Sequence, residues 1–279
     1  MINKSYKQLN DEDKQKILEY YSKMIPSKII QKELKISQRC YSSVLKEFEI
    51  NGRLKNRYTI DETFFDEINS DAKAYILGFI AADGYVGDEK HNNVVISSKD
   101  YDILEKIKRF LSFSGEIKER NKGGFENSQI SFVIAFSNKH ISQVLRNYGL
   151  IPQKSLTFSK IPDCIPKDLI FSFIRGYFDG DGSITYSQRT YGKNNHQYIY
   201  PRGEMSIIAT KQLLEEIIKI CDIKTYSIKE SKTFGMYYLY VSSKKELINL
   251  YEKLYKNSSI SLERKAKKWN QLIWAFNQK

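Results

Sequence analysis

Two aspartates, Asp83 and Asp181, each stand before a glycine at the end of a matching apolar run. The first run is Tyr75–Gly84 (YILGFIAADG) and the second is Phe173–Gly182 (FIRGYFDGDG), at a constant offset of 98 residues. Two carboxylates brought close together repel unless a proton or a cation lies between them. With a divalent cation they form a hard oxygen site suited to Mg2+, with Mn2+ as a substitute. Such a cation orients a water, lowers its pKa and neutralises charge on a leaving oxygen, which is the chemistry of phosphodiester hydrolysis. One Asp-Gly is an ordinary turn. Two at the ends of matched, glycine-bearing apolar runs ask for another explanation.

The elements that would bring the acids together are the runs themselves. In a helix, Gly78 and Ala82 lie on one face, and Gly176 and Gly180 repeat that face. Small residues four apart let two helix backbones approach closely. Phe79, Ile80, Tyr177 and Phe178 then point back into the core of their own half. Side-by-side packing puts Asp83 and Asp181 at one shared tip, where Gly84 and Gly182 are expected to terminate the helices.

Each run opens a similar series of elements, so the chain from residue 64 reads as a tandem repeat, 64–160 and 161–279. In the first half, strands are expected at Asn93–Ser97, Gly115–Arg120 and Gln129–Phe136, the last two joined by Lys122–Gly124. Helices follow the spacing of Ile103, Leu104, Ile107 and Leu111, and span Lys139–Tyr148. In the second half, strands are expected at Ser183–Tyr191, Gln197–Ile208, Thr225–Ser231 and Met236–Val241. Helices carry Leu213, Leu214, Ile217 and Ile218, then Lys244–Tyr255, then Glu263–Phe276 with Trp269 and Trp274. The fold class is α+β: pseudo-symmetric αββαββα repeats forming two antiparallel sheets with helices on one face. The other sheet faces are rich in Tyr, Ser, Asn, Gln, Lys and Arg, as in Tyr186–Tyr191 and Asn194–Tyr198. With Arg120, Arg189 and Lys193 they suit wet contact with phosphates and base edges.

Residues 1–50 read as three short helices. Asn10 caps the first, through about Ser22; Ile29, Ile30 and Leu34 mark the second; Ser37 caps the third, with Tyr41, Val44, Leu45 and Phe48 as its stripe. A tight turn before the last helix makes this a helix-turn-helix-like module, in which Gln38, Arg39, Ser42, Ser43 and Lys46 face DNA. Residues 1–60 hold 13 basic and 7 acidic side chains. The polar, basic stretch 51–63, with Arg53, reads as a linker able to lie along phosphates.

Composition narrows the function classes. The chain has 279 residues and a formal charge of +12, which points to a polyanionic partner. Cys40, Cys164 and Cys221 are far apart and fit buried free thiols in a reducing compartment. His91, His140 and His196 form no cluster, so a zinc site is not expected. The polar start carries no secretory pattern, and apolar runs of about ten residues are too short for a membrane span. A cytoplasmic protein is expected, or one of an organelle matrix if organelle-encoded.

The paired runs and the element order from about residue 64 resemble LAGLIDADG homing endonucleases of the two-motif, monomeric type. That resemblance implies a saddle of two antiparallel sheets over the major groove of a long, asymmetric double-stranded DNA target, and metal-dependent cleavage of both strands. It implies that Asp83 and Asp181 hold the metals, helped by the carbonyls of Ala82 and Gly180. It also implies a basic residue near the end of each half. Lys154, in the segment Gly149–Ser155, matches the first; Arg264 or Lys265 matches the second, with Lys265 preferred. Ala81 stands where the second run has Asp179, and Arg175 fills a position that is usually small or apolar, which suggests an edge facing sheet or DNA. The three-helix module resembles helix-turn-helix units attached to mobile-element nucleases.

Two other functions fit parts of this pattern. One is an RNA-binding intron maturase or a non-cleaving DNA-binding regulator of the same fold; retention of Asp83, Asp181 and Lys154 argues against a retired site. The other is a paired-carboxylate hydrolase of sugars or peptides, disfavoured by the charge and by the lack of Asp-Thr-Gly or Asp-Ser-Gly.

Overall fold

The structure, a computed structural model, describes residues 4–23, 25–50, 58–120, 130–191 and 198–278. Arg53, Lys193, the Lys122–Gly124 turn and residues 194–197 of the expected polar face lie outside the described residues. The chain divides into two units, Met1–Thr59 and Ile60–Lys279.

In the first unit, the Asn10 side chain accepts from the Asp13 N–H (2.7 Å) and starts α1 (Asp11–Ser22). Helix α2 (Ser27–Leu34) ends at Lys35, which adopts a left-handed conformation with φ +51°. Ser37 Oγ then accepts from the Cys40 N–H (3.1 Å) and caps α3 (Gln38–Glu47). Ile17, Ile30, Ile36, Cys40, Tyr41, Val44 and Leu45 form the core between them. Two expected stripe residues are not part of it: Ile29 is 46% exposed and Phe48 41% exposed. Ile30 takes the inward position of α2, and Phe48 falls just past the last helical residue of α3.

In the second unit, α4 (Asp71–Asp83) runs directly into β1 (Gly84–Val86). Next come β2 (Asn93–Ser98), α5 (Tyr101–Phe110), β3 (Lys118–Arg120), β4 (Ser131–Ser137), α6 (Lys139–Asn147) and the single-turn α7 (Lys154–Thr157). The second half repeats this as α8 (Ile170–Asp181), β5 (Gly182–Tyr191), β6 (Tyr198–Ala209), α9 (Lys211–Cys221), β7 (Ser227–Glu230), β8 (Tyr237–Val241), α10 (Lys244–Leu254) and α11 (Glu263–Asn277). Each half holds a four-stranded antiparallel sheet, ordered β1-β2-β4-β3 and β5-β6-β8-β7. The two-sheet α+β architecture expected from the repeat is therefore observed. Strand ends differ by one to three residues, as where β3 begins at Lys118 rather than Gly115; β1, the first strand of the expected αββαββα order, is too short to show a period of its own.

Helix α4 is apolar all round because it is buried all round: Ala74 to Ala82 are all less than 9% exposed. One side faces its own sheet and the other faces α8, which packs on α4 more extensively than any other pair of helices does. The contact is between backbones. A Cβ at Gly78 would overlap the Phe173 carbonyl oxygen, and a Cβ at Gly176 would overlap that of Tyr75. These contacts exchange under the 98-residue offset, so the pair is a pseudo-two-fold axis.

Two readings of the motif residues, and one of a cysteine, need correction. Gly84 and Gly182 have φ of −85° and −98°, so neither is a left-handed helix terminator. They are glycines for space: a Cβ at Gly84 would stand 2.7 Å from the Ile80 carbonyl, and one at Gly182 would stand 2.6 Å from that of Phe178. Arg175 is not on an edge facing sheet or DNA but is 3% exposed. Burial of a guanidinium is made tolerable by three hydrogen bonds, to the carbonyls of Ile260 and Leu254 and to Asp71. Cys164 is exposed, while Cys40 and Cys221 are buried free thiols. Among the described residues no helix is long and apolar enough to cross a membrane.

Alanine is a better helix former than glycine by about 1 kcal/mol, so propensity alone says that Gly176→Ala stabilises. The added methyl would meet the Tyr75 backbone, and we expect instead a loss of about 3 kcal/mol. Urea unfolding checks this; an unchanged or raised midpoint would mean that the helices do not touch there.

Candidate active site

The close packing of α4 on α8 carries through to their C-terminal ends. A Cβ at Gly180 would overlap that of Ala82 and stand 3.4 Å from the Asp83 backbone nitrogen. The glycine and alanine face, Gly78, Ala82, Gly176 and Gly180, is thus the contact expected from its spacing. Asp83 is exposed and Asp181 half-buried. Burial first, and then the charge of Asp83, push the Asp181 carboxyl up to about 6, against the opposing pull of Lys154 and Lys265. The two acids therefore share one electrostatic site, one from each half.

Helix C-termini carry the negative end of the helix dipole, an unfavourable place for two carboxylates. A buried lysine offsets this at each end. Lys154 Nζ donates to the carbonyls of Ala81 (2.7 Å) and Ala82 (2.5 Å). Lys265 Nζ donates to those of Phe178 (2.7 Å), Asp179 (2.8 Å) and Gly182 (2.5 Å). An ammonium has three N–H donors, and each of those of Lys265 has a carbonyl acceptor, so Nζ is held in place behind the second motif. Burial lowers the pKa of Lys154, and burial with the neighbouring Arg264 lowers that of Lys265 to about 8; Asp83 and Asp181 resist both shifts. Arg264 turns away and forms an ion pair with Asp100 (3.0 Å). Of the two candidates in the second half, Lys265 is the one beside the motif.

The donor set fits a hard cation. Among the described residues no group of three or more His, Cys, Asp or Glu is placed to hold a metal. A divalent ion here would rest on Asp83 and Asp181 with backbone carbonyls, and the substrate would supply further oxygens. The Ala82 carbonyl, expected to help, also accepts the Lys154 ammonium. Neutralising the Asp181 carboxylate and the Asp83 charge that opposes it is what a cation at this position would do.

The expected DNA-binding residues fall on two surfaces. On α3, Arg39, Ser42 and Lys46 are exposed and Ser43 is half-buried, with Ser42 accepting from Gln38 (3.1 Å). In the second unit, Arg120 ends β3 opposite Ser131, and Arg189 on β5 stands opposite Tyr200. The register places Ser187 opposite Arg202 and Thr185 opposite Glu204 on the same face, with Tyr238, Tyr240 and Lys229 beyond them. Arg202 and Lys229 went unremarked in the sequence. The alternation Arg202, Glu204, Ser206 between buried Gly203, Met205 and Ile207 is the signal that marks this face.

A family profile described as a LAGLIDADG-like domain matches residues 70–147 and 168–255. Among curated proteins, the chain is similar to the replication factor C small subunit of Methanocaldococcus jannaschii. The two are 29% identical over 260 residues, which cover 82% of this chain and 14% of that protein. It is also similar to the probable translation initiation factor IF-2 of the same organism, 27% identical over 207 residues, covering 71% of this chain and 16% of that protein. The chain spans less than a fifth of the length of these curated relatives. Among solved structures it is similar to the I-LtrWI LAGLIDADG homing endonuclease bound to target DNA, with 14% identity, TM-score 0.53, and coverage of 78% of this chain and 91% of that one. At that identity the likeness is one of fold.

The raised pKa of Asp181 sets a stability prediction. Below its ordinary value of 3.8 the carboxyl is neutral folded or unfolded; stability is lost as pH rises from there through about 6. Without divalent cation, Asp181→Asn should therefore raise stability near neutral pH by up to about 3 kcal/mol, a gain that fades toward acid pH. Thermal melts in chelator across that range read the effect. A loss of stability that is the same at both ends would contradict it.

Proposed function

This chain belongs to the LAGLIDADG family in its two-motif form, and on that premise we propose that it is a homing endonuclease: a site-specific, metal-dependent enzyme that cuts both strands of DNA. The observation that carries this reading is the composite tip, where Asp83 and Asp181 share one electrostatic site with a buried lysine behind each. Similarity to a stretch of two otherwise different proteins, a replication factor C small subunit and a probable translation initiation factor IF-2, each several times longer than the stretch matched, supports a sequence that moves between hosts.

Asp83 and Asp181 would hold the cation, Mg2+ or in its place Mn2+, with the carbonyls of Ala82 and Gly180 as further donors. When bound, the ion supplies an acidified water and neutralises charge at the scissile phosphodiester. Lys154 and Lys265 keep the helix ends in register and add positive charge where the phosphate must come. With its pKa lowered to about 8, Lys265 exists partly as the neutral amine near physiological pH and can take up or release a proton at Nζ.

The duplex would lie along the open sheet faces. In the second half that face is long and basic, with Arg189, Arg202 and Lys229. In the first half β1 and β2 span only 3 and 6 residues against 10 and 12 for β5 and β6. Unequal faces suit a long asymmetric target better than a palindrome. The unit at residues 1–59 would add phosphate and groove contacts through Arg39, Ser42, Ser43 and Lys46 on α3, and Arg53 would extend them along the connecting segment.

With a duplex selected from a randomised library, the protein should cut both strands in Mg2+ or Mn2+. Asp83→Asn and Asp181→Asn should each lower the rate by roughly 10³-fold or more while leaving DNA affinity within severalfold. Tight binding by the wild type with no cutting in either cation would rule the enzyme assignment out. A chain lacking residues 1–55 should bind more weakly and with a shallower dependence on salt, since each lost phosphate contact removes about 0.9 from the slope; an unaltered slope would refute the role given to α3.

A further inference from the structure

The two halves repeat at a fixed offset, yet the polar groups along their shared axis are one-sided. Arg175, 3% exposed, donates from Nε to the Ile260 carbonyl (2.9 Å), from Nη1 to the Leu254 carbonyl (2.9 Å) and from Nη2 to Asp71 Oδ1 (2.6 Å). Asp71, in the first turn of α4, also accepts from Ser172 Oγ (2.5 Å) and from Ser259 Oγ. One turn after Arg175, the carboxylate of Asp179 is 2% exposed and accepts from Tyr75 Oη (2.7 Å), Tyr255 Oη (2.5 Å) and the Leu262 N–H (2.7 Å). Shifted by 98 residues, Arg175, Asp179 and Asp71 become Leu77, Ala81 and Leu169, none of which can form such bonds.

The groups held by this network have a place in common. Leu254, Tyr255, Ser259, Ile260 and Leu262 all lie between the end of α10 and the start of α11. Leu262 is the N-cap of α11, so its N–H bond to Asp179 sets where that helix begins. Lys265 follows one turn later and reaches back to Phe178, Asp179 and Gly182. Lys154 instead heads the four-residue α7, after Gln153 with φ +63°. Burying Arg175 and Asp179, with Asp71 half-buried beside them, is costly, and apolar residues of similar size usually serve packing as well or better. The symmetry-related positions Leu77, Ala81 and Leu169 are apolar. Packing alone therefore does not account for the polar set around Arg175 and Asp179.

We propose that Asp179 and Arg175 are positioning residues for Lys265, so that the two motif ends are inequivalent centres, each serving one DNA strand, and only the second depends on this brace. The proposal rests on the endonuclease reading. Displacing Lys265 slightly would be felt because small misplacements near reacting atoms cost rate steeply.

Single-turnover cleavage of a selected duplex, with each strand labelled separately, tests it in the full chain. Lys265→Met and Lys154→Met first show which strand answers to which lysine. Asp179→Asn should slow the Lys265 strand by roughly 10- to 100-fold more than the other, so that nicked duplex accumulates, with DNA affinity within about twofold. Tyr255→Phe, which removes one hydroxyl and keeps the ring, should shift the same strand by a smaller factor, and Arg175→Met should follow Asp179→Asn. Parallel slowing of both strands in these variants would overturn the proposal, because a general loss of packing reaches the shared Asp83 and Asp181 alike. Equal dependence of both strands on Lys265 would also overturn it. A wild type that cuts neither strand overturns the endonuclease reading and this one together, and so is distinct from either result.

Discussion

The contact of α4 with α8, backbone on backbone, is the constraint on which everything else in the second unit depends. Gly78 and Gly176 admit the carbonyls of Phe173 and Tyr75 into space that a methyl group would occupy. Side chains on a helix normally hold axes 8–10 Å apart; here they are absent at the contact, and two apolar helices can run together to their ends. Large residues turn outward from the seam, and Phe79, Ile80 and Phe178 fill the cores of the two halves. Because the seam extends through Ala82 and Gly180, the next residue on each helix, an aspartate, cannot avoid its counterpart.

Placing two acids at the negative ends of two helices is electrostatically unfavourable, and much of the surrounding polar structure offsets it. Lys154 and Lys265 come from outside the motifs, from α7 and α11, and reach the last carbonyls of α4 and α8. Burial disfavours their charge while the acids favour it, which leaves Lys265 with a pKa of about 8 and Asp181 with one of about 6. A titratable pair brought toward each other and toward neutrality is what acid–base work on a phosphodiester asks for.

The seam and the acids were legible in the sequence because both are encoded locally, as Gly78, Ala82 and Asp83 within one helical turn and a half, and then repeated. The two caps, Asn10 and Ser37, were legible for the same reason. What was missed is encoded by distance. Arg175 reads as an oddity within its own helix; its partners, Asp71, Leu254 and Ile260, are some 80 to 100 residues away in sequence. Gly84 and Gly182 look like terminators because Asp-Gly usually is one, and only the direct passage from helix into strand reveals that they make room for Ile80 and Phe178. Ile29 and Ile30 were both expected inside, but a helix of eight residues has one inward face, and Ile30 occupies it.

The central claim is that Asp83 and Asp181 form a single site. Its most direct test is a carbon-13 NMR titration of the Asp181 carboxyl in metal-free protein, with and without the charge on Asp83. The wild type should titrate near 6, and Asp83→Asn should move Asp181 to a lower value, because the like charge that holds the proton on has gone. An Asp181 pKa that is the same in both proteins would mean that the two acids do not meet.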